Sequence, residues 1–123
     1  MGKRILIVDD QRDVAMLLHH QLEQQGYEIE EIYNGSQALN RIFAQNYDLV
    51  LLDYDMKDIR GDRILTMIRE DSRLRELPVV IITAHVEIDD SLFKKYGATE
   101  VIFKPIATDE LIQIIQSCLK EKS

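Results

Sequence analysis

Four short apolar runs in this chain do not alternate: residues 5–8, 49–52, 79–82 and 101–103. A half-exposed strand alternates apolar with polar residues, whereas a strand covered on both faces does not. Leu49-Val50-Leu51-Leu52 is the clearest case, and it stops at the carboxylate of Asp53. In open α/β sheets, ligands bind beyond the carboxyl ends of the strands. An acid at that place points to chemistry, although Asp also serves as a helix N-cap or turn former.

Between the runs the apolar spacing is helical. Val14, Leu17, Leu18 and Leu22 share a face over residues ~13–25, and Gly26 is placed to end that helix. Residues 27–32 mix Ile29 and Ile32 with Glu28, Glu30 and Glu31, which reads as an exposed edge strand. Asn34-Gly35 is expected to turn, and residues 36–45 form a helix with Ala38, Leu39, Ile42 and Phe43 inward. Residues ~62–70, ~87–96 and ~108–120 are the remaining helices. Ile88, Leu92 and Phe93 are the apolar positions of the weakest one, Gly97 ends it, and Thr108 is the expected N-cap of the last. Strand and helix thus alternate five times. That predicts a flavodoxin-like three-layer (βα)5 sandwich around a parallel five-stranded sheet of order 2-1-3-4-5.

At 123 residues, with 46% hydrophobic and 30% charged, the chain reads as one domain over residues 1–123. Its net charge of −7 argues against direct nucleic-acid binding, which needs a basic surface. The single Cys118 excludes an internal disulfide and reads as helix filler. Together with the lack of a recognisable leader, it makes a cytoplasmic protein the expectation. No apolar run approaches the roughly 20 residues of a membrane span. His19 and His20 lack a second ligand at metal spacing and read as ordinary helix residues.

Four of the five strands end in a chemically useful residue: Asp9-Asp10, Asp53, Thr83 and Lys104. A parallel sheet puts all of these on one edge. Three carboxylates there repel one another and call for positive charge. Lys104 supplies one unit, and a hard cation such as Mg²⁺ (or Mn²⁺) supplies two while keeping water positions for substrate oxygens. A carboxylate can also accept a phosphoryl group. The set therefore matches an aspartyl-phosphate site, with the Thr83 hydroxyl and the Lys104 ammonium each meeting a phosphoryl oxygen.

With Ile-Leu-Ile-Val-Asp-Asp at 5–10, Asp53 after its apolar strand, Gly61 eight residues later, Thr83-Ala84 and Lys104-Pro105, the chain resembles the receiver domain of two-component response regulators over nearly its whole length. The resemblance implies that Asp53 is the phosphoacceptor and Asp10 a direct Mg²⁺ ligand. Asp9 would act mainly through water, and the Asp55 main-chain carbonyl would complete the site. It implies Thr83 as the switch hydroxyl, Lys104 as the phosphoryl partner, and a cis Lys104–Pro105 bond. A histidine kinase or histidine phosphotransfer protein would be the donor. The face of the fourth helix, fifth strand and fifth helix would carry the signal to a downstream protein, and a homodimer is compatible. Such a domain is a phosphoacceptor rather than an enzyme acting on a separate substrate. Whether the chain acts alone or belongs to a longer regulator is open.

Two positions depart from the pattern. Val101 stands where the family usually has Tyr or Phe, and Lys57 where many members have proline, so the loop after Asp53 is expected to be more mobile or more basic. Asp55 and His85 occupy variable positions at the pocket, and are expected to face each other and to gate the attacking water. The rival readings are a phosphorylation-independent adaptor and a Mg²⁺-dependent phosphatase using Asp53. Flavin binding is disfavoured by acids where a phosphate cradle would want glycines and N–H groups.

Overall fold

The computed structural model describes residues 2–120, apart from the side chain of Asp90. Residues 121–123, part of the charged end of the chain, lie outside it. Five strands, β1 (Arg4–Val8), β2 (Glu28–Ile32), β3 (Leu49–Asp53), β4 (Val79–Thr83) and β5 (Glu100–Phe103), alternate with five helices. These are α1 (Arg12–Glu23), α2 (Gly35–Ala44), α3 (Gly61–Glu70), α4 (Asp90–Lys95) and α5 (Thr108–Cys118). Every strand pair is parallel and the order is β2-β1-β3-β4-β5, as expected. The edge position of β2 explains its glutamates: it has a neighbour on one side only.

The apolar runs are buried because the sheet is covered twice. Leu6, Val8, Val50, Leu52, Val79 and Ile81 face α2, α3 and Phe93 of α4. Ile5, Ile7, Leu49, Leu51, Val80, Ile82 and Ile102 face Ala15, Leu18 and Leu22 of α1, and Leu111 and Ile115 of α5. Residues in one strand alternate between the two cores. β3 and β4 are therefore buried at every position, and their carboxyl ends are held rigidly.

The helical details differ from the sequence pattern in four places. Leu17 is 57% exposed, because Ala15, Leu18 and Leu22 take the buried stripe of α1. Leu92 of α4 is 44% exposed, and Ile88 precedes that helix rather than belonging to it. Asn34 is not part of a free turn. It is the N-cap of α2, and its side chain accepts from Gln37 N. Thr108 is the first residue of α5, with Ala107 at the cap position. Gly26 and Gly97 end α1 and α4 at positive φ, as their placement predicts. Cys118 is half-buried on α5, where burial and then Glu100 push its thiol up. No helix among the described residues is long and apolar enough to cross a membrane.

Candidate functional site

The strand order reverses at β1, which pairs with β2 on one side and β3 on the other. Crevices of this kind form at the carboxyl ends of the strands. β1 delivers Asp9 and Asp10 there, and β3 delivers Asp53. One ligand oxygen from each of these three carboxylates lies within 4.8 Å of the others. Asp9 and Asp53 are each 2% exposed and Thr83 is fully buried. The cleft above them is lined by Asp10, Gln11, Asp53, Asp55, Lys57, Ala84 and Lys104.

The protein leaves part of this charge unanswered. Asp9 Oδ1 accepts from Gln11 N at 2.9 Å, but Asp9 Oδ2 and Asp10 Oδ2 are buried with no protein partner. Buried carboxylate oxygens without partners are costly, so the arrangement invites a cation. The donors are all oxygen, which suits a hard divalent ion such as Mg²⁺ or Mn²⁺. Burial above all pushes Asp9 up to about 6, against the Gln11 N–H and with the help of the Asp53 charge. Burial also raises Asp53, while Lys104 and the Asp55 N–H hold it down.

Lys104 follows directly on the end of β5, and its bond to Pro105 is cis. Its Nζ lies 3.5 Å from Asp53 Oδ1. Lys104 N also donates to Thr83 O at 2.8 Å, which locks the end of β5 to the end of β4. Thr83 Oγ1 accepts from His85 N at 3.0 Å. That bond uses a lone pair, so the hydroxyl hydrogen is still available to a new acceptor.

Asp55 and His85 meet at the pocket mouth, with Nε2 2.6 Å from Oδ1. The sequence reading missed the third member: Glu87 Oε1 lies 2.8 Å from His85 Nδ1. Bonds to Glu87 and then Asp55 raise the imidazole pKa. It also missed Tyr54, whose ring stands edge-on to both His85 and Phe93. Tyr54 and Asp55 come from the loop after β3, His85 and Glu87 from the loop after β4, and Phe93 from α4. Val101 packs at the rim of the α2–α3 core, so no aromatic ring stands at that position of β5. Lys57 is exposed. His19 and His20 lie away from this cluster. His19 Nε2 lies 3.3 Å from Glu23 Oε2 on its own helix, and His20 Nε2 3.2 Å from Gln24.

The family model for the response regulator receiver domain matches residues 5–116. The chain is 32% identical over 120 residues to the response regulator ArlR of Staphylococcus saprophyticus, covering 97% of this chain and 53% of that protein. It thus spans about half the length of that relative. Among solved structures, TrrA of Thermotoga maritima, in complex with Mg(2+)-BeF, is 34% identical with a TM-score of 0.85 over 94% of this chain and 98% of that one. A CheY-like receiver domain protein of Methanospirillum hungatei JF-1 is 27% identical with a TM-score of 0.89, over 98% and 95% respectively. Fold, strand-end acids and matched span agree, and the chain belongs to the response regulator receiver domain family.

Proposed function

We propose that this chain is a phosphorylation-dependent signalling switch that accepts a phosphoryl group on Asp53. The observation that carries this is the cluster of Asp9, Asp10 and Asp53, with two buried oxygens lacking a protein partner. The donor is the phosphohistidine of a sensor histidine kinase or phosphotransfer protein. Asp53, as the carboxylate, attacks phosphorus. The P–N bond breaks, its electron pair stays on the imidazole nitrogen of the donor, and a new O–P bond forms on Asp53.

Each neighbour has a defined task. Lys104, 3.5 Å from Asp53 Oδ1, opposes the rise that burial causes in the Asp53 pKa and faces the incoming phosphoryl oxygens. Asp9, Asp10, Asp53 and the Asp55 main-chain carbonyl would hold Mg²⁺ (or Mn²⁺), which would supply positive charge against the carboxylates and the phosphoryl oxygens. Thr83 rotates about χ1 so that its hydroxyl donates to a phosphoryl oxygen. Because Oγ1 itself moves, the bond it accepts from His85 N is given up, which loosens the start of the segment leading to α4. The α4–β5–α5 face then presents a different surface to a downstream protein. Asp55 and His85 close the pocket mouth and slow the approach of water. The chain catalyses its own phosphorylation and slow dephosphorylation at most, and residues 1–123 make one receiver domain.

Intact-protein mass after incubation with Mg²⁺ and acetyl phosphate tests the reading. A gain of about 80 Da is expected, the mass of one phosphoryl group. It should require Mg²⁺ and vanish in Asp53→Asn. No gain and no Mg²⁺ binding would overturn the reading in favour of a phosphorylation-independent adaptor.

A further inference from the structure

The loop after Asp53, residues 54–60, has to hold its shape with no proline in it. It matters because the Asp55 N–H donates to the Asp53 carboxylate, and because the Asp55 carbonyl is proposed to complete the cation site. Two anchors lie at the inner side of the loop. Met56 is buried in the α2–α3 core, and Gly61 N donates to Tyr54 O at 2.9 Å to close the base. A Cβ at Gly61 would stand 2.8 Å from Tyr54 Cα and 3.0 Å from Asp53 O, so glycine alone permits that closure.

The third anchor lies on the outer rim and reaches another element. Asp58 Oδ1 accepts from Gly35 N at 2.9 Å, and Asp58 Oδ2 accepts from Ser36 N at 3.1 Å. The Ser36 hydroxyl adds a further contact to Oδ2 at 3.3 Å. These are the first two amides of α2, which an ordinary cap leaves open. Asn34 already serves the next amide, that of Gln37. A helix therefore receives its second cap from a carboxylate more than twenty residues away, and the charge suits the positive end of the helix dipole. Close approach is built in as well. A Cβ at Gly35 would meet Ile64 at 2.9 Å, Ile59 at 3.0 Å and Asp58 Oδ1 at 3.3 Å. Burial opposes ionisation of Asp58, but the N–H groups of Gly35, Ser36 and Ile59 outweigh it and hold the carboxyl below its ordinary range.

We infer that Asp58 is a positioning residue for the cation site: by clamping the loop to the first amides of α2, it fixes Asp55 against Asp53. The inference rests on the function proposed above. In that setting the clamp does from outside what a proline would do from within, and the exposed Lys57 need not stiffen the backbone.

The test compares Asp58→Ala and Asp58→Asn with the wild-type chain by Mg²⁺ titration calorimetry and by amide hydrogen exchange. Asp58→Ala should weaken Mg²⁺ binding about tenfold, at the low end for a residue that supports a ligand. It should speed exchange at the Asp55 and Gly35 amides. Asp58→Asn, which keeps one acceptor oxygen, should fall between, and it carries the comparison if the alanine variant does not fold. Phosphorylation by acetyl phosphate should slow at low Mg²⁺ and recover at saturating Mg²⁺. A lower melting temperature with unchanged Mg²⁺ affinity and unchanged Asp55 exchange would reduce Asp58 to a helix cap and overturn the inference. If the wild-type chain itself bound no Mg²⁺, the proposed function would fall, and the clamp would stand or fall on Asp55 exchange alone.

Discussion

Asp9 shows at the scale of one residue how the site stores its need for a cation. Its carboxyl is buried, one oxygen lacks a protein partner, and its pKa rises from 3.8 to about 6. In the unfolded chain the group ionises near its ordinary value, so between the two values the folded state binds the extra proton. The contribution to stability is fully present below pH 4 and is lost as pH rises through about 6. Its size is on the order of 2 kcal/mol after allowing for the open mouth of the cleft. Denaturant unfolding of the Mg²⁺-free protein should therefore show the wild type losing that much between pH 4 and pH 7 relative to Asp9→Asn, which cannot titrate there. With Mg²⁺ the preference reverses, and Mg²⁺ affinity should fall as pH is lowered through the same window.

Among the elements, α4 is anchored least. It is six residues long, and Phe93 is its principal buried side chain, whereas Leu92 and Tyr96 are each 44% exposed. Its end is fixed from α3. Arg69 Nε donates to Gly97 O at 2.9 Å, and Nη1 donates to Leu74 O at 2.6 Å. Gly97 has φ +110 and a Cβ there would meet Arg69 Cγ at 2.7 Å, whereas Gly26, at φ +94, has open space around it. Gly26→Ala should cost about 1 kcal/mol, the strain of the left-handed backbone alone. Gly97→Ala should cost more, roughly 2 to 3 kcal/mol, because Arg69 has to give up its place. Urea unfolding of the two variants checks the difference. Equal costs would mean that Arg69 does not brace the turn. Glycine at both helix ends was readable in the sequence. The brace was not, since Arg69 and Gly97 lie 28 residues apart and share no pattern.

For the whole molecule, the twice-covered sheet supplies a rigid base and the strand-end acids supply the instability that a ligand relieves. Mg²⁺ that binds only the folded state at one hundred times its dissociation constant should stabilise the protein by about 2.7 kcal/mol. The midpoint in denaturant should move accordingly, and Asp10→Asn or Asp53→Asn should remove most of the shift. A Mg²⁺ shift that survived both substitutions would place the ion elsewhere.

What the sequence determined by itself is the frame. Unalternating runs such as 49–52 require cover on both faces, alternation with helices requires parallel strands, and parallel strands put Asp9, Asp10, Asp53, Thr83 and Lys104 on one edge. That logic is local plus topological, so it survives without coordinates. Tertiary structure alone decided the rest. Whether Leu17 is buried depends on which stripe of α1 meets the sheet, and where α2 begins depends on Asn34 and on a distant Asp58. Tyr54, 31 residues before His85 and 39 before Phe93, stands edge-on to both rings only because the loops after β3 and β4 fold over the same cleft. Side-chain contacts of this kind form between segments brought together by packing, and nothing in the spacing of either segment encodes the other.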